Sequence, residues 1–490
     1  MTDDKQYDLI IKNVRVVRPR VEAVQDSDIA VKDGMIVAAG PELDTGAAAE
    51  VYDGQGRLAF PGVVDAHMHT GIYSPLQEDA LSESRAAAMG GVTTSLNYMR
   101  TGGYYLNKGG PYRNFFPEVL ALSEGRFYVD YGYHLAPMDN QHIEEIPELI
   151  DEFGVTSFKI FMFYGSHGLH GRSSNQHEFL MIDEDERYDY AHFEFVMRGI
   201  QAAMQKHTDK ARQISLSLHC ETAEIMAAYT KIVEEEGKLQ GLPAYHAARP
   251  PHSEGLAIFI ASYLANETEL ANINLLHLSS RKAVTAALQM AEVFPHIDFR
   301  REVTIGHLML DIDAPTGNFA KVNPPIRPRE DVEFLWENLL NGRLDWVCSD
   351  HACCKHEFKV DFENPGDIWL AKSGFGGTEY LLSALVSEGQ KRGLPYTRMA
   401  ELTSFNPARR FGLNCKGDLA EGLDADVVLV DPGETWIVRA EESESQQGYT
   451  PFEGQELGAR VKTTFLRGRR IYDNGEVIGE PCGRYLKRPC

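Results

Sequence analysis

Along the first sixty residues, apolar and polar side chains alternate in the manner of β-strands. YDLIIKNVRVV, DSDIAVKDGMIVAAG and AEVYDGQGRLAF are short β-rich runs parted by Asp-Gly and Gly-Gln-Gly turns, a pattern that predicts hairpins. The same texture returns near the other end, in GDLAEGLDADVVLVDP and ARVKTTFLRGRRIYDNGEV. The two ends are therefore predicted to build one small β-sandwich domain from residues 1–60 and 412–490.

The middle of the chain, residues 61–411, follows a different rhythm. Apolar strand-like runs fall at Val63–Ala66, Val92–Asn97, Phe127–His134, Thr156–Met162, Ile214–His219, Ile273–Leu278, Phe299–Ile305 and Trp346–Ser349. The seventh is the weakest in pattern. Helical stretches such as EDALSESRAAAMGG, IEEIPELIDEFG and EDVEFLWENLLNG lie between most of them. Eight strands alternating with helices is the count of a closed parallel barrel, so the expected fold is α/β, a (β/α)8 TIM barrel. EESESQQ, at 441–447, is predicted to be a solvated loop.

Polar residues stand at the ends of these apolar runs, where a barrel of this kind opens its site. PGVVDAHMHT ends in His67 and His69, two apart on a strand and so directed to one side. ISLSLHCE ends in His219, NINLLHLSS in His277 and LDWVCSDH in Asp350. Imidazole nitrogens and a carboxylate suit Zn²⁺ or a similar divalent ion. A lone strand-end histidine is more often a satisfied structural residue; four of them with an aspartate are hard to explain that way. Lys159 sits inside the apolar run TSFKIFMFY. A buried free ammonium beside dications is disfavoured by desolvation and repulsion, whereas a carbamate formed with carbon dioxide would be an anion with two oxygens.

Composition narrows the partners. The 490 residues carry a formal net charge of -24, which repels phosphate backbones and anionic lipid, so neither nucleic acid nor a membrane is an expected partner. A small molecule is. Seven cysteines at irregular spacing do not form a disulfide framework. The opening MTDDKQYDLIIKN has no signal-peptide apolar core, and no apolar run approaches the roughly 20 residues that span a bilayer. The expected location is the cytoplasm.

With paired histidines, a strand lysine, two later histidines and an aspartate in this order, the chain resembles the amidohydrolase superfamily. The likeness is to the branch holding dihydropyrimidinase (hydantoinase), dihydroorotase and allantoinase, and it runs from PGVVDAHMH to GDLAEGLDADVVLVD. The resemblance implies two divalent ions, zinc first and cobalt or manganese as alternatives. Lys159 would be carboxylated by CO2 to N6-carboxylysine and bridge them. His67, His69 and Asp350 would hold one ion with it, and His219 and His277 the other. A water shared by the ions, its pKa brought toward neutrality, would attack the amide carbonyl. Asp350 would carry its proton to the leaving nitrogen, and Tyr164, five residues after Lys159, would steady the oxyanion. Asn323, in KVNPPIRPRED, and Ser373 and Gly374, in AKSGFGGTE, occupy the places of substrate loops. Relatives also imply a homo-oligomer, a tetramer.

The resemblance has departures. HMHTGIYSP has no arginine after the paired histidines, which argues against dihydroorotate. REVTIGHLMLD replaces a Thr-Cys-Pro type segment and brings in His307 as either a pocket or a structural residue. The loop at 163–180 adds His167, His170 and His177 near the mouth, as specificity or lid residues rather than ligands. The leading reading is ring opening of a cyclic amide, imide or ureide. The alternatives are hydrolysis of a linear amide, carbamate or thiocarbamate on the same centre, and a non-catalytic scaffold related to dihydropyrimidinase.

Overall fold

The computed structural model describes residues 5–165, 181 and 187–490. Eight parallel strands are hydrogen-bonded in chain order, Val63–Met68, Val92–Met99, Asp130–Leu135, Ser157–Phe161, Ser215–His219, Asn272–Leu275, Asp298–Thr304 and Trp346–Cys348. The last meets the first through a Met68–His351 bridge and the Ser349 N–H on Asp65 Oδ1 at 3.0 Å, which nearly closes the barrel. Every residue of the first five barrel strands is buried, as parallel strands covered on both faces must be.

Three of the longer helices between strands are capped by a side chain at their start. Asn140–Phe153 starts where Asp139 Oδ1 accepts from the His142 N–H, and stops at Gly154, whose φ of 67° is left-handed. A side chain at Gly154 would also meet the Lys487 Cα at 2.7 Å, so the C-terminal segment requires the glycine. That segment explains one difference from the sequence pattern. The third strand begins at Asp130 rather than at Phe127, because Phe127 O is taken by the Gly483 N–H at 2.8 Å; the same segment continues along the strand, with Leu486 N–H donating to Tyr131 O at 2.8 Å. The weakly patterned seventh run is a full strand, Asp298–Thr304.

Strands from both ends of the chain share a second, nine-stranded sheet. Tyr7–Val16 lies at its middle, paired with Gln25–Lys32, Ala48–Asp53 and Leu58–Pro61, and Leu58–Pro61 continues through Val427–Asp431 to Arg460–Leu466 and Arg469–Asp473. Residues 441–447 are solvated only at their start, where Glu441 and Glu442 are exposed. Ser445 and Gln447 are buried, with Ser445 Oγ donating to Glu83 and the Gly376 N–H donating to Gln447 Oε1. The EESESQQ pattern hid this because its polar side chains satisfy polar groups of the barrel. No helix among the described residues is long and apolar enough to cross a membrane.

The two parts meet at a buried charge knot. Lys416 Nζ lies 2.9 Å from Asp130 on the third barrel strand and 2.8 and 2.7 Å from Asp424 and Asp426, which lead into Val427–Asp431. Arg467 also donates to Asp130. Removing one partner from such a knot leaves uncompensated carboxylates in the interior. Lys416→Met is expected to cost roughly 3–5 kcal/mol of stability, read as a lower thermal midpoint; an unchanged midpoint would contradict the knot's role.

Candidate functional site

Six polar side chains converge at the C-terminal end of the barrel. His67 is inside the first strand and His69 just beyond it; Lys159 is mid-way along the fourth strand and His219 ends the fifth. His277 and Asp350 follow the sixth and eighth strands, each with left-handed backbone, φ 32° and 54°. Neither is glycine, so the surrounding structure must hold this strain, as it often does at working sites. The His69 N–H, donating to His351 O at 2.7 Å, pins the closing strands together beside them.

The distances are short. His67 Nε2 lies 3.2 Å from His69 Nε2, 3.3 Å from Lys159 Nζ and 3.1 Å from Asp350 Oδ1. His69 Nε2 is 3.3 Å from the same oxygen. The His219 and His277 rings are 4.3 Å apart, centre to centre, and His277 is 5.4 Å from His67. Lys159 Nζ sits 4.0 Å over the Tyr98 ring. It points into the cluster.

A second layer fixes these groups. His67 Nδ1 is 2.7 Å from Glu302 Oε1, and Glu302 also accepts from the Trp346 Nε1–H and the His277 N–H. His69 Nδ1 is 2.8 Å from the Tyr105 hydroxyl. His219 Nε2 is 2.6 Å from Glu221, which Arg249 grips with two nitrogens. Burial opposes ionisation of Glu221, but Arg249 and His219 hold its carboxyl below the usual carboxylate range. Burial pushes the imidazoles of His67 and His277 well below their ordinary values and His219 down to about 4. They are neutral near pH 7.

Whether a metal fits can be tested on these contacts. With Nδ1–H given to Glu302, His67 presents a bare Nε2 lone pair to a carboxylate oxygen at 3.1 Å. His277 Nδ1 is buried and has no hydrogen-bond partner, a deficit that costs about 1–3 kcal/mol if left unmet. His67, His277 and Asp350 each bring a ligand atom within 4.8 Å of the others. An imidazole lone pair facing a carboxylate oxygen, with an orphaned imidazole nitrogen beside it, is what a divalent cation satisfies. The residues fit. Asp79, Glu83 and Cys353 also cluster, but the carboxylates there accept from Gly71, Gln446 and Ser445 and pair with His351.

A cleft of about 480 Å³, counting its open mouth, leads to the cluster. Tyr73, Tyr105, Phe161, Phe163 and Tyr164 line it together with Asn323, Ser373 and Gly374. Tyr164 is on the turn after the fourth strand, stacked on Phe161 at 4.6 Å with the Arg100 guanidinium 5.2 Å from its ring centre. Burial raises its phenol and Arg100 draws it back down. Tyr245 Oη, behind the wall, donates to Asn323 Oδ1 at 2.5 Å and lies 3.3 Å from Ser373 Oγ.

The segments carrying Asn323, Ser373 and Gly374 are more committed than their sequence suggests. Ser373 O already accepts from Tyr73 Oη at 2.5 Å, and the Gly374 N–H donates to Lys321 O at 3.0 Å. His307 is structural: its nitrogens meet Thr304 Oγ1 at 2.7 Å and Pro324 O at 3.0 Å, fixing the turn behind Asn323. His167, His170 and His177 lie outside the described residues. Glu302, Tyr105 and Glu221 went unnoticed in the sequence. Glu221 is two residues beyond His219 and therefore legible by strand spacing; Glu302 is masked by the arginines before it in FRREVT, and Tyr105 has no signal of its own.

The sequence pattern of the Amidohydrolase family matches residues 58–471. An allantoinase of Rubrobacter xylanophilus is 33% identical over 490 residues, covering 98% of each chain. A D-hydantoinase of Geobacillus stearothermophilus is 31% identical over 496 residues, covering 98% of this chain and 96% of its own. Among solved structures, a dihydropyrimidinase from Brevibacillus agri superposes with a TM-score of 0.82 at 26% identity, over 98% of both chains. An L-hydantoinase (dihydropyrimidinase) from Arthrobacter aurescens does so with a TM-score of 0.84 at 26% identity, over 99% of this chain and all of its own.

If Glu302 orients His67 for a cation, Glu302→Gln is expected to weaken divalent-metal binding by about 10–100-fold. Titration of the metal-stripped protein reads this directly, and an affinity equal to that of the parent would remove Glu302 from the account.

Proposed function

This chain belongs to the amidohydrolase family, a family that implies divalent metal ions, and on that premise we propose that it adds water across the C–N amide bond of a cyclic amide, imide or ureide. The observation that carries the reading is the cluster of buried, neutral imidazoles around Lys159 and Asp350 at the foot of a small aromatic cleft. The names of its relatives, allantoinase, hydantoinase and dihydropyrimidinase, support a ring as the substrate.

In this proposal two ions, zinc before cobalt or manganese, are held by the six side chains. Neutral Lys159 Nζ takes up carbon dioxide, forming an N–C bond and releasing one proton, so that N6-carboxylysine replaces an ammonium. His67, His69 and Asp350 serve one ion with it, His219 and His277 the other. When bound, the pair supplies an acidified water and polarises the substrate carbonyl.

The chain's own residues do the rest. Asp350 faces the imidazoles with Oδ1; a carboxylate there accepts the proton of the attacking water and returns it to the leaving nitrogen. The Tyr164 hydroxyl donates to the oxygen on which negative charge develops. Asn323 and Ser373, tied together by Tyr245, hold the ring's polar edge, and the aromatic lining excludes water from its faces. Free cysteines throughout the chain support a reducing, cytoplasmic setting. Exposed Leu256, Phe259 and Tyr263 along the helix Pro251–Glu267 support association into a homo-oligomer, a tetramer in our reading.

The test is a panel of rings and matched linear amides assayed with metal and bicarbonate present. Ring opening of hydantoin, dihydrouracil or allantoin is expected, with turnover at least about 100-fold lower in Tyr164→Phe at unchanged metal content. Turnover of the linear compounds alone would replace the cyclic reading, and full activity in Tyr164→Phe would take the phenol out of the mechanism.

A further inference from the structure

Between Lys359 and Thr378 the chain forms no helix or strand, yet this segment supplies Ser373 and Gly374 to the cleft. Irregular backbone at a binding wall needs its carbonyls satisfied. Here side chains do it. Lys321 Nζ donates to Ile368 O and Ala371 O at 2.8 and 2.7 Å. Lys359 Nζ donates to Lys372 O at 2.8 Å and Gly374 O at 2.6 Å. Tyr73 Oη takes the carbonyl between them, that of Ser373.

The third donor of Lys359 makes the arrangement more than a brace. It reaches Lys321 O at 2.9 Å, two residues before Asn323 on the other polar segment of the cleft. Lys321 O also accepts from the Gly374 N–H, and the Lys372 N–H donates to Lys359 O at 2.9 Å. Lys359 is fully buried, and among the described residues no carboxylate lies within salt-bridge distance of it. An ammonium has three protons to give, and all three go to carbonyls of the two segments that carry the substrate-facing residues. Placing a charge in the interior costs several kcal/mol unless each proton is met; an apolar side chain would fill the same space without that cost. Burial draws the Lys359 amine down to about 7, while the three carbonyls around it favour the protonated form; the group is unnecessary for packing and informative about position.

We propose that Lys359 is a positioning residue that sets the spacing between the Lys321–Asn323 and Lys372–Gly374 segments, and so selects flat rings over flexible linear amides. Resting as it does on the cyclic-amide reading, the proposal assigns Lys359 no contact with substrate. Its ammonium acts through Asn323 and Ser373, whose side chains Tyr245 joins on the same two segments. Loss of the clamp should therefore weaken recognition more than turnover.

The test uses Lys359→Met in the metal-loaded full chain, with Lys359→Gln, which keeps two donors, as the milder variant if Met does not fold. KM for the ring substrate is expected to rise about tenfold or more while kcat changes less than about threefold, and the ring-to-linear preference in kcat/KM to fall about tenfold. Amide hydrogen exchange across residues 368–376 is expected to quicken at least about tenfold, with the barrel strands as slow as in the parent. Metal content should not change. Unaltered exchange in 368–376, or a KM and preference equal to the parent's, would overturn the clamp. The exchange measurement needs no substrate, so an enzyme that opens no ring would defeat the cyclic-amide reading while the clamp is judged on exchange alone.

Discussion

The structure turns on the placement of one amine and four imidazoles at the buried foot of an open cleft. Lys159, His67, His69, His219 and His277 are all buried, and His277 Nδ1 has no hydrogen-bond partner. Burial lowers the imidazoles so far that they hold lone pairs rather than charge, and it draws the Lys159 amine down to about 8 against the pull of Asp350 and Glu302. A fold that merely needed packing would put apolar side chains here, because unpaired polar groups in the interior are costly. A divalent cation among the nitrogens would meet those lone pairs, and the proposed conversion of Lys159 to an anion would complete its ligands.

Much of the remaining architecture keeps those donors still. Barrel strands bring them to one end, and the ring closes beside them through the His69 N–H and His351 O. Glu302, Tyr105 and Glu221 fix three of the imidazoles by their far nitrogens, the support that metal-binding histidines commonly have. The cleft above is held in the same way, by buried side chains bonded to loop carbonyls and not by regular structure. Rigid strands position the clustered donors, and polar anchors fix the loops that line the cleft.

The sequence revealed the part of this that obeys a period. Histidines two apart on a strand, and single donors at the ends of successive apolar runs, are visible because strand geometry repeats and barrel sites lie at strand ends. Lys159 stood out because an apolar strand offers it no reason to exist. What escaped is contact between distant segments. Glu302 reaches His67 across 235 positions, and no local pattern marks it. Ser445 and Gln447 read as solvent-facing because nothing in EESESQQ tells that Glu83 and Gly376 await them. Likewise Lys321 and Lys359 look like ordinary surface lysines until the fold closes over them.

Metal uptake by the stripped protein tests the central claim most directly. Free amine is the form that reacts with carbon dioxide. Since burial draws Lys159 down to about 8, the reactive fraction rises about 25-fold between pH 6.5 and 8.5. At constant dissolved carbon dioxide, reloading to about two divalent ions per chain is expected to speed up over this range and to require bicarbonate. Lys159→Met is expected never to fill both positions. Full loading of Lys159→Met, or reloading indifferent to bicarbonate, would contradict the claim.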